Sequence, residues 1–205
     1  HGSLSSIATS ALDPMAQLRT GLALISSADG RRALYDETET ERIDDAIRLA
    51  AVAPALIAAL HRWSTGQDPI EPDGDLDPVT DYLRMLTGVT PDIRLATALG
   101  TYLTAAIDHG FNASTFTARV IASTGADLAS CVGGALGALS GPLHGGAPAR
   151  TLDMLDDIGA PERADAWVRE RVQHGGRIMG FGHAVYRTED PRSRLLRGVA
   201  QRLRA

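Results

Sequence analysis

Asp13-Pro-Met-Ala-Gln-Leu-Arg-Thr-Gly-Leu-Ala-Leu-Ile25 carries the pattern that decides the fold class. Aspartate followed by proline is a helix start. The carboxylate accepts backbone N–H groups that have no partner in the first turn, and proline needs no donor there. Met15, Leu18, Leu22 and Ile25 then recur at spacings of three and four, the apolar stripe of a helix and not the alternation of a strand.

Outward from this segment the same pattern of start, stripe and stop repeats. A second helix is predicted from about Thr38 to Trp63, with Ile43, Ile47, Ala50 and Pro54 along it. Pro54 is expected to kink it or to end its first half. Gly66 to Asp77 reads as a loop, Asp77-Pro78 starts a short helix, and Gly88 stops it. Further helices are predicted over 92–107, 114–124, 126–139, 149–158 and 162–173, and after Pro191, with breaks at Gly110-Phe-Asn112 and at Gly175–Gly182. Arg177-Ile-Met179 is the best strand-like run and is too short to matter. The fold class is all-α. Gly133, Gly134 and Gly137 lie inside the 126–139 helix, where each glycine costs about 1 kcal/mol, so close helix packing is expected to compensate.

At 205 residues the chain can bury a real core, as one domain or slightly more. Its 44% hydrophobic and 22% charged residues are ordinary for a globular protein, and a net charge of −5 argues against a general nucleic-acid surface. All twenty basic residues are Arg, which reads as genome composition. The single cysteine, Cys131, permits no disulfide framework within the chain, which fits a reducing, cytoplasmic setting. Its small-residue surroundings favour a packing role. There is no run of eighteen apolar residues to suggest a membrane span. The opening His1-Gly-Ser-Leu-Ser-Ser6 has no signal-peptide character, and His1-Gly2-Ser3 are expected to be appended residues.

Three histidines stand in glycine-flanked breaks. Gly180-Phe-Gly-His-Ala-Val-Tyr-Arg-Thr-Glu-Asp-Pro-Arg192 sets His183 between glycines and two arginines, Arg187 and Arg192. Histidine can exchange a proton near neutral pH, and arginine forks suit carboxylate or phosphate. These groups suit proton chemistry on an anionic substrate; a Gly-rich turn before a solvated basic helix is the plainer reading. His144 lies in Ser140-Gly-Pro-Leu-His-Gly-Gly-Ala147, where paired glycines can expose backbone N–H groups to an anion. An esterase oxyanion loop is rejected there, because no Gly-x-Ser-x-Gly elbow accompanies it. His109 lies in Asp108-His-Gly-Phe-Asn-Ala-Ser-Thr115, where Asn112 and Ser114 are both suited to cap the next helix. A helix C-terminus alone could account for His109. No Cys or His stands at zinc-ligand spacing, so no metal is expected. His61 and His174 are expected on the surface near helix ends.

In this order, Asp13-Pro-Met-Ala-Gln-Leu-Arg19, Asp108–Thr115 running into Ala122-Ser-Thr-Gly-Ala-Asp127, Gly141-Pro-Leu-His-Gly-Gly146 and Gly180–Arg192 resemble the citrate synthase family, most closely its shorter bacterial type. The resemblance covers nearly all the chain from about residue 11. It implies a multi-helical fold with a large helical domain, expected over 1–147, and part of a small one, expected over 148–205. It implies an acyltransferase that condenses acetyl-CoA with oxaloacetate to citrate and CoA, as a homodimer with no nucleic-acid or membrane partner. No cofactor is implied, since acetyl-CoA is a substrate. His144 matches the histidine that hydrogen-bonds the acetyl carbonyl as the enol forms, and His183 matches the one that polarises the oxaloacetate ketone. Arg192 matches a carboxylate clamp and His109 a further oxaloacetate ligand. Arg187 matches a position near the CoA phosphates. The backbone of Ile178, Met179, Gly180 and Gly182 matches the adenine site.

Two departures qualify this. Pro148 stands where the family usually has Asn. The chain is about half the family's length, and the family's aspartate base lies in an Asn-Val-Asp-Phe-like segment downstream of the Asp-Pro-Arg motif, so truncation at both ends and inactivity of these residues alone are expected. 2-Methylcitrate synthesis from propionyl-CoA, or a non-catalytic helical scaffold, are the alternatives.

Overall fold

The computed structural model describes residues 2–108, 110–181 and 188–203, with the backbone alone described at 147–149. Among the described residues ten α-helices run in order: α1 Gly2–Ala8, α2 Pro14–Ala28, α3 Glu39–Ser64, α4 Pro78–Thr87, α5 Ile93–Ala106, α6 Ala113–Ala122, α7 Leu128–Leu139, α8 Ala147–Ile158, α9 Ala164–Gln173 and α10 Pro191–Leu203. Short 3₁₀ turns at Leu34–Asp36 and Pro161–Arg163 join them, and no strand occurs among the described residues.

The helix starts follow their side chains. Asp13 Oδ1 accepts the N–H groups of Met15 at 3.0 Å and Ala16 at 3.1 Å, with Pro14 at the first helical position. Asp77 does the same for α4, and Gly88, at φ +83°, ends it. Thr38 and Glu41 close a reciprocal cap at the start of α3.

The core forms where α1, α2 and α3 meet. Leu18, Leu22, Leu56, Leu60 and Ala8 are buried together, with Val132 and Leu136 of α7 packed against them. Gly21 permits the approach of α3: a Cβ there would stand 2.9 Å from Leu56 Cδ2. α3 runs unbroken through Pro54, contrary to one of the two outcomes expected for it. Proline inside a helix costs roughly 3 kcal/mol, and burial of Leu56 and Leu60 just beyond it offsets this at about 1.5–3 kcal/mol each.

Gly2–Ala8 is a helix whose Leu4 and Ile7 pack on the core. Its sequence, Gly-Ser-Leu-Ser-Ser-Ile-Ala, is poor in helix formers, so packing and not propensity fixes it. Gln17, itself buried, donates from Nε2 to Ala8 O at 3.3 Å and Leu12 O at 3.0 Å, tying α1 to α2.

α6 and α7 form a tight hairpin. A Cβ at Gly134 would collide with Ile121 Cδ1, so this glycine sets the helix separation. Cys131 is buried in the same helix, and burial first, then nearby Asp127, pushes its thiol up, which suits packing and not nucleophilic chemistry. α10 packs against α5, and α4 against α3 and α5.

Candidate active site

After α7 the chain turns through residues 140–146 before entering α8. The N–H groups of His144 and Gly146 both donate to Gly141 O, at 3.0 and 3.2 Å, which coils the turn on itself. The coil leaves no room for side chains at its end. A Cβ at Gly145 would lie 2.7 Å from Leu139 O and would strike Leu139 Cδ1. One at Gly146 would lie 2.9 Å from Ser140 O. The two glycines that follow His144 are therefore what let the turn fold back on the end of α7.

The His144 ring reaches across to α6. Its Nε2 lies 3.0 Å from Ser114 Oγ in a partly buried contact. Ser114 Oγ in turn donates to Asn112 Oδ1 at 2.7 Å, and that oxygen also accepts Thr115 N–H at 3.0 Å as the cap of α6. The Thr115 bond identifies the Asn112 atom as the carbonyl oxygen, because an amide N–H cannot accept. With the Ser114 proton directed at Asn112, Ser114 accepts from His144, so Nε2 carries a hydrogen and a neutral ring bears its lone pair at Nδ1. In the other tautomer the ring has given up its Nε2 proton and taken one at Nδ1 from solvent; Nε2 then accepts the Ser114 hydroxyl, turned from Asn112, and Nδ1–H is a donor.

Arg192 stands in the first turn of α10. Its Nε lies 3.0 Å from Asp190 Oδ1 and its Nη2 2.6 Å from Asp190 Oδ2, and Asp190 Oδ1 also accepts the Arg192 N–H at 2.9 Å. The guanidinium is thus held by a two-pronged, charge-assisted grip that fixes its plane. Ile178 and Met179 are half-buried in the loop after α9, and Gly180, at φ +81°, brings the backbone beside Thr151 of α8: a Cβ there would lie 3.6 Å from its hydroxyl.

His109, Gly182, His183 and Arg187 lie outside the described residues. Of the segments singled out in the sequence, the structure joins 112–114 to His144 by direct contact, and it seats the helix led by Arg192 against α5. His61, in the last turn of α3, and His174, capping α9, are surface residues at helix ends, as expected. Among the described residues no group of three or more His, Cys, Asp or Glu is placed to hold a metal. The Ser114 contact and the Asp190 grip were not assigned from sequence. Aspartate two residues before an arginine is a local signal for the second. Ser114 and His144 are thirty residues apart, and only the α6–α7 hairpin brings them together.

The family model described as citrate synthase, C-terminal domain, matches residues 2–205. The citrate synthase of Synechocystis sp. is 42% identical over 93% of this chain and 47% of its own length. The putative citrate synthase 2 of Mycobacterium tuberculosis is 44% identical over 94% of this chain and 52% of its own. A 2-methylcitrate synthase of Mycobacterium tuberculosis is more distant, at 36% identity over 93% of this chain and 47% of its own. Citrate synthase from Thermoplasma acidophilum, solved as a ternary complex with carboxymethyl coenzyme A and oxaloacetate, superimposes with a TM-score of 0.85. It is 27% identical, over 98% of this chain and 53% of that one. The chain spans about half the length of the relatives it matches.

Proposed function

Because the chain belongs to the citrate synthase family, we propose that it forms part of an acyltransferase that condenses acetyl-CoA with oxaloacetate to give citrate and CoA. The observation that carries this reading is His144, held in a glycine turn with its Nε2 on Ser114. The condensation needs an N–H donor at the thioester oxygen while the methyl carbon loses its proton, because negative charge then grows on that oxygen. His144 supplies this donor from Nδ1 in the tautomer whose Nε2, having exchanged its proton with solvent, accepts the Ser114 hydroxyl. Asn112 Oδ1 keeps its bond to Thr115 N–H, so the cap of α6 survives the change.

Arg192 orients an oxaloacetate carboxylate from the position in which Asp190 holds it. His183 polarises the ketone, His109 adds a further contact, and Arg187 meets the CoA phosphates. The backbone of 178–182 receives the adenine. No metal or cofactor takes part. The protein works as a cytoplasmic homodimer, with 1–147 belonging to the large domain and 148–205 to the small one. Exposed Phe116 and Val120 on α6 give that dimer an apolar surface to cover. The base that takes the methyl proton comes from outside these 205 residues, so this stretch by itself turns over little or no substrate.

Propionyl-CoA is the second reading, supported by the 36% identical 2-methylcitrate synthase. Rates with the two thioesters on the whole protein separate the readings, and acetyl-CoA is expected to be the faster. His144→Ala should abolish condensation with either thioester and leave the helical circular dichroism intact. Near-normal turnover in that variant would remove His144 from the site.

A further inference from the structure

The connector between α2 and α3 holds a buried carboxyl group that the condensation does not use. Glu37 follows the 3₁₀ turn Leu34–Asp36 and is only 8% exposed, and its Oε2 is buried with no hydrogen-bond partner. Native proteins rarely leave such an atom unsatisfied.

The charges around it are unevenly matched. On α3, Asp45 lies within hydrogen-bonding reach of Glu37. Asp45 is itself largely buried and paired with Arg31, whose Nη2 also meets Asp29 at 3.3 Å. Arg32, on the connector, pairs with Glu41 of α3 at 2.7 Å. Arg42 donates its Nε to Leu34 O at 2.9 Å, and Arg48 lines the crevice beside Arg31 and Asp45. If Glu37 were ionised, a second buried negative charge would sit against Asp45, whose guanidinium partner already serves Asp29. A single proton resolves both difficulties. Glu37 then donates an O–H to the Asp45 carboxylate, and Asp45 keeps its full charge for Arg31.

We propose that Glu37 and Asp45 share one proton, and that this shared proton clasps the α2–α3 connector to the body of the protein. The connector is where α2 and α3 meet the α6–α7 hairpin. Leu34 N–H donates to Ala126 O at 3.4 Å and Tyr35 N–H to Gly125 O at 3.2 Å. Gly125 is left-handed, at φ +78°, and a Cβ there would lie 2.9 Å from Tyr35 Cβ, so the two backbones are in close contact. The clasp therefore sits at the far end of the helix whose first turn carries Ser114.

Burial foremost, and then the Asp45 charge, hold Glu37 above its ordinary 4.5, with Arg32 opposing them. A group raised in the folded state contributes stability that is complete below its ordinary value and lost as the pH rises through the folded value. Mild acidification therefore tightens the connector.

Urea unfolding of the 205-residue chain between pH 7.5 and 5, beside Glu37→Gln, tests this. The amide of the variant donates to Asp45 at every pH. The variant is expected to be the more stable at pH 7.5. The wild type should gain on it as the pH falls, by no more than about tenfold in the unfolding constant per pH unit, the limit for one proton. Parallel pH profiles for the two proteins would overturn the proposal. If the variant does not fold, carboxyl ¹³C titration of the wild type decides. A step above 4.5 for the Glu37–Asp45 pair supports the shared proton, and two steps at or below 4.5 overturn it.

Discussion

Replacing Gly145 by Ala adds one methyl group where the structure has no room for it. The new Cβ would stand 2.7 Å from Leu139 O, a backbone atom that cannot rotate away, and would also strike Leu139 Cδ1. Either α7 gives up its last turn or the 140–146 turn moves off it. Overpacking of this kind costs about 1–3 kcal/mol. For a chain of this length each kcal/mol lowers the unfolding temperature by about 2–4 °C. The turn is the softer partner, so the displacement falls on His144 and breaks its 3.0 Å contact with Ser114. A misplacement of about 1 Å at a reacting group costs on the order of 100-fold in rate. Urea and thermal unfolding followed by circular dichroism give the stability. Nitrogen-detected NMR of the His144 ring reports whether Nε2 has lost its partner. Gly74→Ala is the control, because a Cβ there meets nothing within 4 Å, and its stability should change by no more than about 0.5 kcal/mol. If Gly145→Ala unfolds with the wild type and leaves the His144 ring signals where they were, the steric reasoning for this turn is wrong.

Ser114→Ala removes one hydrogen-bonding hydroxyl and should cost about 0.5–1.5 kcal/mol in urea unfolding. Its sharper effect is on the His144 ring, whose two nitrogens should lose their fixed tautomer in NMR spectra, and in the whole protein kcat should fall more than the acetyl-CoA KM rises. Acid should weaken the helix caps. Side-chain and backbone bonds from Thr80 hold Asp77 below its ordinary 3.8, and the Thr38 backbone N–H does the same for Glu41 below 4.5. A lowered group contributes stability that is present above its ordinary value and lost as the pH falls through the folded value. Stability should therefore decline below about pH 4, and Asp77→Ala should flatten that decline in urea titrations of the same pH series.

The helices were legible because their starts and stops are local. Asp13-Pro14, Asp77-Pro78 and Gly88 act through bonds to residues no more than four positions away, and each did what its type dictates. The glycines of α7 were legible as a packing device, and Gly134 against Ile121 is one. Long-range packing was not legible. It carries α3 through Pro54 by burying Leu56 and Leu60, and it makes a helix of Gly2–Ala8 against the weak propensity of those residues. At the candidate site, sequence singled out His144 and Arg192 but not what holds them. The Asn112–Ser114–His144 chain depends on two helices folding face to face, and Glu37 drew no notice because burial of a single glutamate leaves no mark in its neighbours.

The most direct test is oxaloacetate-dependent release of CoA thiol from acetyl-CoA by the whole protein, with the wild type measured beside His144→Ala. Release that requires oxaloacetate, yields citrate and disappears in the variant is expected. No release from either acetyl-CoA or propionyl-CoA by the folded wild type would contradict the assignment of a condensing site to the His144 turn.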